Sequence, residues 1–179
     1  MNRAHETIPL HWLAELDLAW CLRFNRASQR RGLERLFAVV SRLGDGVFWY
    51  TLMLGLPFVL GETALPVVAR MLVAGGLALA LYKWLKSRTT RLRPCARHDD
   101  RIRTSVAPLD EYSFPSGHTL HAVSFSIVAV CAYPALAWLV VPFTVLVALS
   151  RVVLGLHYPS DVLAGALLGG GLATLVLQF

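Results

Sequence analysis

The chain has 179 residues, of which 56% are hydrophobic and only 16% are charged, and its formal net charge is +6. Its apolar residues gather in runs that are too long for a small water-soluble core, which excludes an ordinary soluble domain and favours a membrane protein. The three cysteines are odd in number and widely spaced, so they predict neither a disulfide framework nor a zinc site.

The first 45 residues form an amphipathic and basic segment that carries no motif. Within it, Leu10 to Phe24 mixes Leu, Trp and Ala with Glu15, Asp17 and Arg23, a pattern that favours a helix lying in the membrane interface. Two alternatives stay open for this stretch: an ordinary helix packed on a helical bundle, and a sixth membrane span.

Five apolar runs follow, and we interpret each as a membrane-spanning helix. They are Val47 to Leu60, Pro66 to Leu85, Thr119 to Tyr133, Ala135 to Leu149, and Val162 to Phe179. The stretch between His118 and Ser150 is too long for one crossing, so Pro134 is predicted to be the turn of a helical hairpin. Because two crossings return the chain to the face it left, His118 and Ser150 are expected on the same side of the membrane.

A long polar loop, Lys86 to Pro115, separates the second run from the third and carries seven Arg or Lys residues. Loops of this length are usually either functional or disordered. In a chain with so few polar segments, we favour function.

Three polar clusters occur where apolar runs end or begin. They are Lys86 with Arg93-Pro94, Pro115-Ser116-Gly117-His118, and Ser150-Arg151 with His157 and Asp161. The predicted hairpin places the last two clusters on one face, and the polar loop connects the first cluster to them. We therefore expect all three to converge on one site.

The chemistry of these residues fits a phosphate. Lys86, Arg93 and Arg151 supply positive charges and donors for the oxygens of a phosphoryl group. The backbone N–H groups of Ser116 and Gly117, at the start of a helix, are expected to bind the same anion.

The two histidines can divide the work of phosphoryl transfer. His157 is the predicted nucleophile, and Asp161, in the first turn after Pro159, is expected to accept the proton of its Nδ1. His118 is expected to protonate the leaving alkoxide as general acid, after which water attacks the phosphohistidine.

Taken singly, each cluster has a simpler explanation: a head-group anchor, a helix cap, or a polar network between helices. Their joint occurrence in this order favours a site. The segments Lys86-x6-Arg93-Pro94, Pro115-Ser116-Gly117-His118 and Ser150-Arg151-x5-His157-x3-Asp161 resemble the three signature motifs of the type 2 phosphatidic acid phosphatase (PAP2) superfamily.

This resemblance implies an all-α, integral-membrane helical bundle of five to six spans with an N-terminal interfacial helix. It also implies a single domain, 1–179, with its catalytic motifs in 86–161. Implied chemistry is hydrolysis of phosphate esters without a metal or other cofactor, with the same roles for His157, Asp161 and His118 and for the phosphate-binding residues. The expected partners are a lipid phosphate and the bilayer, with no nucleic acid, and nothing in the sequence sets an oligomeric state.

The sequence leaves the substrate, the type of reaction and the membrane face of the site open. Prenyl diphosphates such as undecaprenyl diphosphate, phosphatidylglycerol phosphate and phosphatidic acid all fit as substrates, with a slight preference for the first class. A phosphotransferase and a non-catalytic lipid-binding or transport protein are the alternatives to a hydrolase. The basic segments place the site in the cytoplasm by the positive-inside rule, whereas the resemblance implies the outer face of a bacterial inner membrane.

Three polar features outside the motifs have weaker interpretations. Asp45, between Gly44 and Gly46, is interpreted as a helix boundary, with a place facing the site as the alternative. The stretch from His98 to Asp100 is interpreted as a solvated loop, not a metal cluster. His121, one turn after His118, either lines the cavity or packs.

Overall fold

The computed structural model describes residues 10–108 and 110–179, and in this part of the chain it contains helices and no strand. Residues 1–9 of the predicted N-terminal segment lie outside the described residues. The helices are α1 (Leu10–Asn25), α2 (Arg31–Arg42), α3 (Phe48–Leu60), α4 (Leu65–Thr89), the short α5 (Pro94–Arg97), α6 (Gly117–Ala132), α7 (Ala137–Val153) and α8 (Pro159–Val176).

A helix covers each of the five apolar runs that the sequence predicts to span the membrane. Among the described residues, three continuous helical stretches are long and apolar enough to cross a membrane: Arg31–Thr89, Pro134–Val153 and Pro159–Val176. The first has 59 residues and turns at Gly61, so it contains two spans. Gly117–Ala132 is a shorter apolar helix. The backward extension of the first span through 33–40 is supplied by α2.

The hairpin predicted at Pro134 is confirmed. A short 3-10 turn, Pro134–Leu136, joins α6 to α7, because proline cannot continue the hydrogen-bond ladder of the helix before it. The start of α6, the end of α7 and the start of α8 consequently meet at the same end of the bundle. There, the backbone N–H of Ser116 donates to the carbonyl of Asp161 at 3.0 Å.

Small residues let α8 lie directly against α6. Gly165, Gly169 and Ala173 are spaced four apart and buried, so they form one stripe of the helix. A Cβ on Gly165 would lie 2.5 Å from the carbonyl oxygen of Ser116, and the Ser124 hydroxyl donates to the carbonyl of Gly169 at 2.9 Å. Close backbone approach of this kind is how helices associate in lipid, where hydrophobic burial gives little drive.

Aromatic side chains fill the space between α3, α6 and α7. Phe48 stacks on Phe143 with ring centroids 3.8 Å apart, and Trp49, 1% exposed, lies 5.4 Å from Phe125. The outer surface is apolar as well, as shown by Phe58, which is 91% exposed. An apolar exterior around a packed interior is the arrangement that a bilayer requires.

The N-terminal helix α1 does not span. Its inward face carries the buried Asp17, Cys21 and Asn25, which contact α8 and the loops around it, whereas Trp12 and Trp20 are exposed on the outward face. This combines two of the sequence alternatives, since α1 packs on the bundle and also exposes tryptophans, which are typical of a helix at the membrane interface.

Candidate active site

The turn between α7 and α8 places Arg151 and His157 side by side. After α7 ends at Val153, Gly155 takes a left-handed conformation with φ 68°, which costs glycine little because it has no Cβ. The turn brings the backbone N–H of His157 to the carbonyl of Arg151 at 3.0 Å. Pro159 then begins α8. The five residues between Arg151 and His157 are the last two of α7 and the first three of this turn.

The imidazole of His157 is buried, 1% exposed, and both of its nitrogens have partners. Nδ1 lies 2.6 Å from the carbonyl oxygen of Ser113, which only accepts hydrogen bonds, so Nδ1 carries the proton. Nε2 therefore presents a lone pair, and a guanidinium nitrogen of Arg93 lies 3.0 Å from it. Burial, followed by the positive charges of Arg151 and Arg93, holds the pKa of His157 well below its ordinary value. The ring is therefore neutral, with its lone pair on Nε2.

The predicted hydrogen bond from His157 to Asp161 is absent, and this expectation is corrected. Oδ2 of Asp161 lies 3.8 Å from Nδ1 of His157. It accepts the backbone N–H of Tyr158 at 2.8 Å instead, as part of a capping box that starts α8. Asp161 is in the opening turn as expected, but the tautomer of His157 is set by the Ser113 carbonyl.

Arg91 belongs to the site but lies outside the three sequence motifs. Its guanidinium donates to Asp161 at 2.6 Å and to Asp17 of α1 at 2.6 Å, and it lies 4.1 Å from the ring centroid of Tyr158. Arg91 thus neutralises the buried carboxylate of Asp161. Its spacing of two from Arg93 was the available signal, because residues two apart in extended backbone share a face.

Asp110, from the polar loop, faces two of the predicted phosphate-binding cations. Its carboxylate oxygens lie 2.7 and 2.6 Å from Nζ of Lys86, and a guanidinium nitrogen of Arg93 donates to it at 2.7 Å. Burial acts to raise the pKa of Asp110, but the hydrogen bonds and charges of Lys86 and Arg93 outweigh burial and lower it. One carboxylate therefore faces two buried cations, and positive charge is left in excess.

Arg151 adds a third buried cation. It is 3% exposed and donates to the hydroxyl of Ser41 on α2, while its Nε has no hydrogen-bond partner among the described residues. Burying a guanidinium with unmet donors is costly unless an anion is bound nearby. The charge balance of this end of the bundle therefore suits an anionic ligand.

The position of Ser116 corrects a second expectation. Its backbone N–H donates to the carbonyl of Asp161 at 3.0 Å and is therefore not free for an anion, and its buried hydroxyl lies 3.0 Å from that of Thr119. Ser116 instead fastens the start of α6 to the start of α8. Gly117, the next residue, does line the cavity.

His118 faces the site and contacts a residue from another helix. Its Nε2 is in hydrogen-bond contact with Oδ1 of Asp45, and the two side chains are 13% and 25% exposed. Asp45 lies in a π-helical turn, Leu43–Val47, between α2 and α3. Asp45 therefore lies at a helix boundary and also faces the site, because the turn directs its carboxylate toward His118.

These groups surround a cavity of about 630 Å³. Lys86, Arg93, Gly117, His118 and His157 line its polar end, and Arg151, Ser116 and Asp161 lie behind that surface. The other end is lined by side chains of α3 and α4: Trp49, Tyr50, Met53, Leu72 and Leu79. His121 both lines the cavity and packs, since its Nε2 lies 3.2 Å from the carbonyl of Gly75 on α4.

No metal-binding arrangement of three or more His, Cys, Asp or Glu side chains occurs within 10–108 and 110–179. Asp99 and Asp100 are exposed, in agreement with a solvated loop.

Comparison with known proteins gives the site a context. The sequence profile of the PAP2 superfamily matches residues 67–179, which is more than half of the chain. Phosphatidylglycerophosphatase B of Bacillus subtilis is 38% identical over 101 residues, covering 45% of this chain and 46% of that protein. Undecaprenyl-diphosphatase of Sulfolobus acidocaldarius is 34% identical over 103 residues, covering 57% of this chain and 50% of that protein. The matches thus span about half the length of these relatives.

A solved structure is similar over more of the chain. The crystal structure of a transmembrane PAP2-type phosphatidylglycerolphosphate phosphatase from Bacillus subtilis superposes with a TM-score of 0.72 at 28% identity, covering 93% of this chain and 85% of that one. The likeness includes the N-terminal helices, which the profile does not match.

Proposed function

Since the chain belongs to the PAP2 superfamily, we propose that it is a membrane lipid phosphatase that hydrolyses a phosphate monoester or diphosphate through a phosphohistidine. One observation carries this proposal: two histidines and two buried cations line the polar end of a cavity whose other end is apolar. The one domain, 1–179, would hold the whole catalytic unit.

In the first step, Nε2 of His157 attacks phosphorus and forms a P–N bond as the bond from phosphorus to the lipid oxygen breaks. The geometry supports this role because the Ser113 carbonyl holds the proton on Nδ1 and leaves the lone pair on Nε2. His118 gives its proton to the departing lipid oxygen. Asp161 acts indirectly, by fixing the first turn of α8 beside His157.

In the second step, water attacks phosphorus, the P–N bond breaks, and His118 takes the proton of the water. Inorganic phosphate leaves and both histidines return to their starting states. Charge on the phosphoryl oxygens is balanced throughout by Lys86 and Arg93 at the cavity wall and by Arg151 behind it. The backbone of Gly117 allows the phosphate to approach the start of α6.

The apolar end of the cavity supports a lipid substrate. A phosphate held at the polar end would direct its ester chain between α3 and α4, among Trp49, Met53 and Leu79. Undecaprenyl diphosphate, phosphatidylglycerol phosphate and phosphatidic acid each combine such a phosphate with long apolar chains. We favour a prenyl diphosphate slightly and propose a bacterial inner membrane as the location.

The test uses purified protein in detergent with a panel of prenyl and glycerolipid phosphates. We expect phosphate release that survives EDTA, is inhibited by vanadate, and is lost in His157→Ala. Full activity of His157→Ala, or loss of activity in EDTA, would contradict the mechanism. Labelled phosphate that appears in a lipid product would identify a phosphotransferase, and no turnover on the whole panel would favour a non-catalytic lipid-binding protein.

The membrane face of the site is tested separately. Asp100 is exposed in the loop beside the site. Labelling of Asp100→Cys in intact cells by a membrane-impermeant reagent would place the site outside, and protection until the cells are broken would place it in the cytoplasm.

A further inference from the structure

We propose that Asp45 is a positioning residue for His118 that orients the imidazole and stabilises its protonated form. This inference rests on the proposed function, in which His118 is the general acid. Asp45 lies outside the three motifs and outside the residues that match the superfamily profile.

The backbone around Asp45 is shaped to reach the site. Gly46 has φ 129°, a backbone conformation that residues other than glycine rarely adopt. Gly44 is buried against α7, and a Cβ there would lie 2.9 Å from the side chain of Val147. Both neighbours of Asp45 are therefore required to be small. π-Helical turns inside longer helices often occur at functional sites, because they turn a side chain away from its regular direction.

The contact fixes which nitrogen of His118 can act on substrate. A carboxylate only accepts hydrogen bonds at neutral pH, so Nε2 of His118 carries a hydrogen and donates a hydrogen bond to Oδ1 of Asp45. Nδ1 is left as the nitrogen that gives its proton to the leaving lipid oxygen. A general acid must begin protonated, and a carboxylate in contact with the ring favours that charged form.

The surroundings explain why a carboxylate is needed here. Lys86 and Arg93 line the same cavity and Arg151 lies behind it, so their positive charges oppose protonation of His118, whereas the carboxylate of Asp45 in contact with the ring favours it. Other charged or titratable groups around this pair come from every element that faces it. They are Arg42 on α2, Tyr50 on α3, Tyr82 and Lys83 on α4, Asp110 and Tyr112 in the loop, His121 on α6, and His157 before α8. With cations in the majority, Asp45 is the carboxylate in contact with His118 that favours its protonated form.

The test compares Asp45→Asn with the wild type on two substrates. With phosphatidic acid, whose leaving group is an alkoxide, we expect kcat to fall about 10- to 100-fold while KM changes less than about threefold, because general acids contribute about 10²–10⁴. With an aryl phosphate such as p-nitrophenyl phosphate, whose leaving group needs no proton, we expect a much smaller loss. Asp45→Glu should recover part of kcat, because it restores the carboxylate.

The pH profile separates positioning from a purely structural role. Asp45→Asn should move the alkaline limb of the kcat profile with phosphatidic acid to lower pH by about one unit, since the charge that keeps His118 protonated is gone. Glu62→Gln is the matched control, because Glu62 is an exposed acid in the turn that follows α3, at the end of that helix away from Asp45. Its kcat and pH profile should match the wild type.

The outcomes distinguish this inference from the proposed function. An unchanged kcat and pH profile in Asp45→Asn, with His157→Ala inactive, would overturn the role of Asp45 alone. An equal loss on both substrates with an unmoved alkaline limb would also overturn it, as would a lower melting temperature that accounts for the whole loss. Full activity in His157→Ala would overturn the proposed function itself.

Discussion

Replacing Gly165 by Ala tests whether the close contact of α8 with α6 holds the site together. A Cβ on this residue would lie 2.5 Å from the carbonyl oxygen of Ser116, and ordinary contact begins at 3.4 Å, so the helices must separate locally by about 0.9 Å. The N–H of Ser116 and the carbonyl of Asp161 join the same two helix ends at 3.0 Å. A displacement of this size stretches that hydrogen bond beyond its useful length.

The expected magnitude follows from three contributions. Overpacking of a tight contact costs about 1–3 kcal/mol, and the weakened hydrogen bond costs about 1 kcal/mol. Alanine in place of glycine returns up to about 1 kcal/mol through helix propensity. The free energy of unfolding should therefore fall by about 1–3 kcal/mol, and turnover should fall as well because α8 begins next to His157.

Thermal unfolding and phosphate release, measured in one detergent, provide the assay. Gly171→Ala is the matched control, since it lies on the same helix and a Cβ there has no neighbour within 4 Å. We expect Gly165→Ala to melt below the wild type and Gly171→Ala to melt at the same temperature or above it. If the two variants behave alike in melting and turnover, the contact is not tight and the reasoning is wrong.

Three further predictions concern the polar groups around the site. Arg91→Met leaves the buried carboxylate of Asp161 without its partly exposed partner, so the free energy of unfolding should fall by about 1–3 kcal/mol, and Asp161→Asn in the same chain should recover part of it in thermal melting. The low pKa of His157 means that the unfolded chain binds a proton that the folded chain does not, so its contribution to stability is present above pH 6.5 and lost as the pH falls below that value. As the pH falls below 6.5, the difference in free energy of unfolding between the wild type and His157→Gln, followed by thermal melting, should therefore shift in favour of the variant by up to about 1.4 kcal/mol per pH unit. Asn25→Ala removes three hydrogen bonds, to Val153 and to both backbone groups of Arg103, and should lower the melting temperature by the equivalent of about 2–3 kcal/mol.

Each of these has a clear contrary result. An additive double variant at Arg91 and Asp161 would show that the two side chains do not interact energetically. A pH-independent difference for His157→Gln would mean that the imidazole titrates alike in the folded and unfolded chain. Gln29→Ala is the control for Asn25, because Gln29 is exposed on the turn that follows α1, and equal melting of the two variants would contradict the structural role of Asn25.

The sequence by itself determined the spans, the hairpin at Pro134 and the convergence of the three clusters. These follow from local properties: the length of an apolar run, a proline that ends a helix, and the parity of crossings. That parity, together with side-chain chemistry, predicted that four residues would lie in one site: Lys86, Arg93, His118 and His157. The structure places all four on the wall of the same cavity.

Only the tertiary structure decided which partner each proposed catalytic residue has. The carbonyl of Ser113 sets the tautomer of His157, and a backbone oxygen has no side-chain signature that a sequence could display. Asp161 is paired with Arg91, and His118 with Asp45, because a folded loop and a π-helical turn bring together residues 70 and 73 positions apart. Such pairings depend on the close packing of whole helices, which the spacing of residues along one helix does not specify.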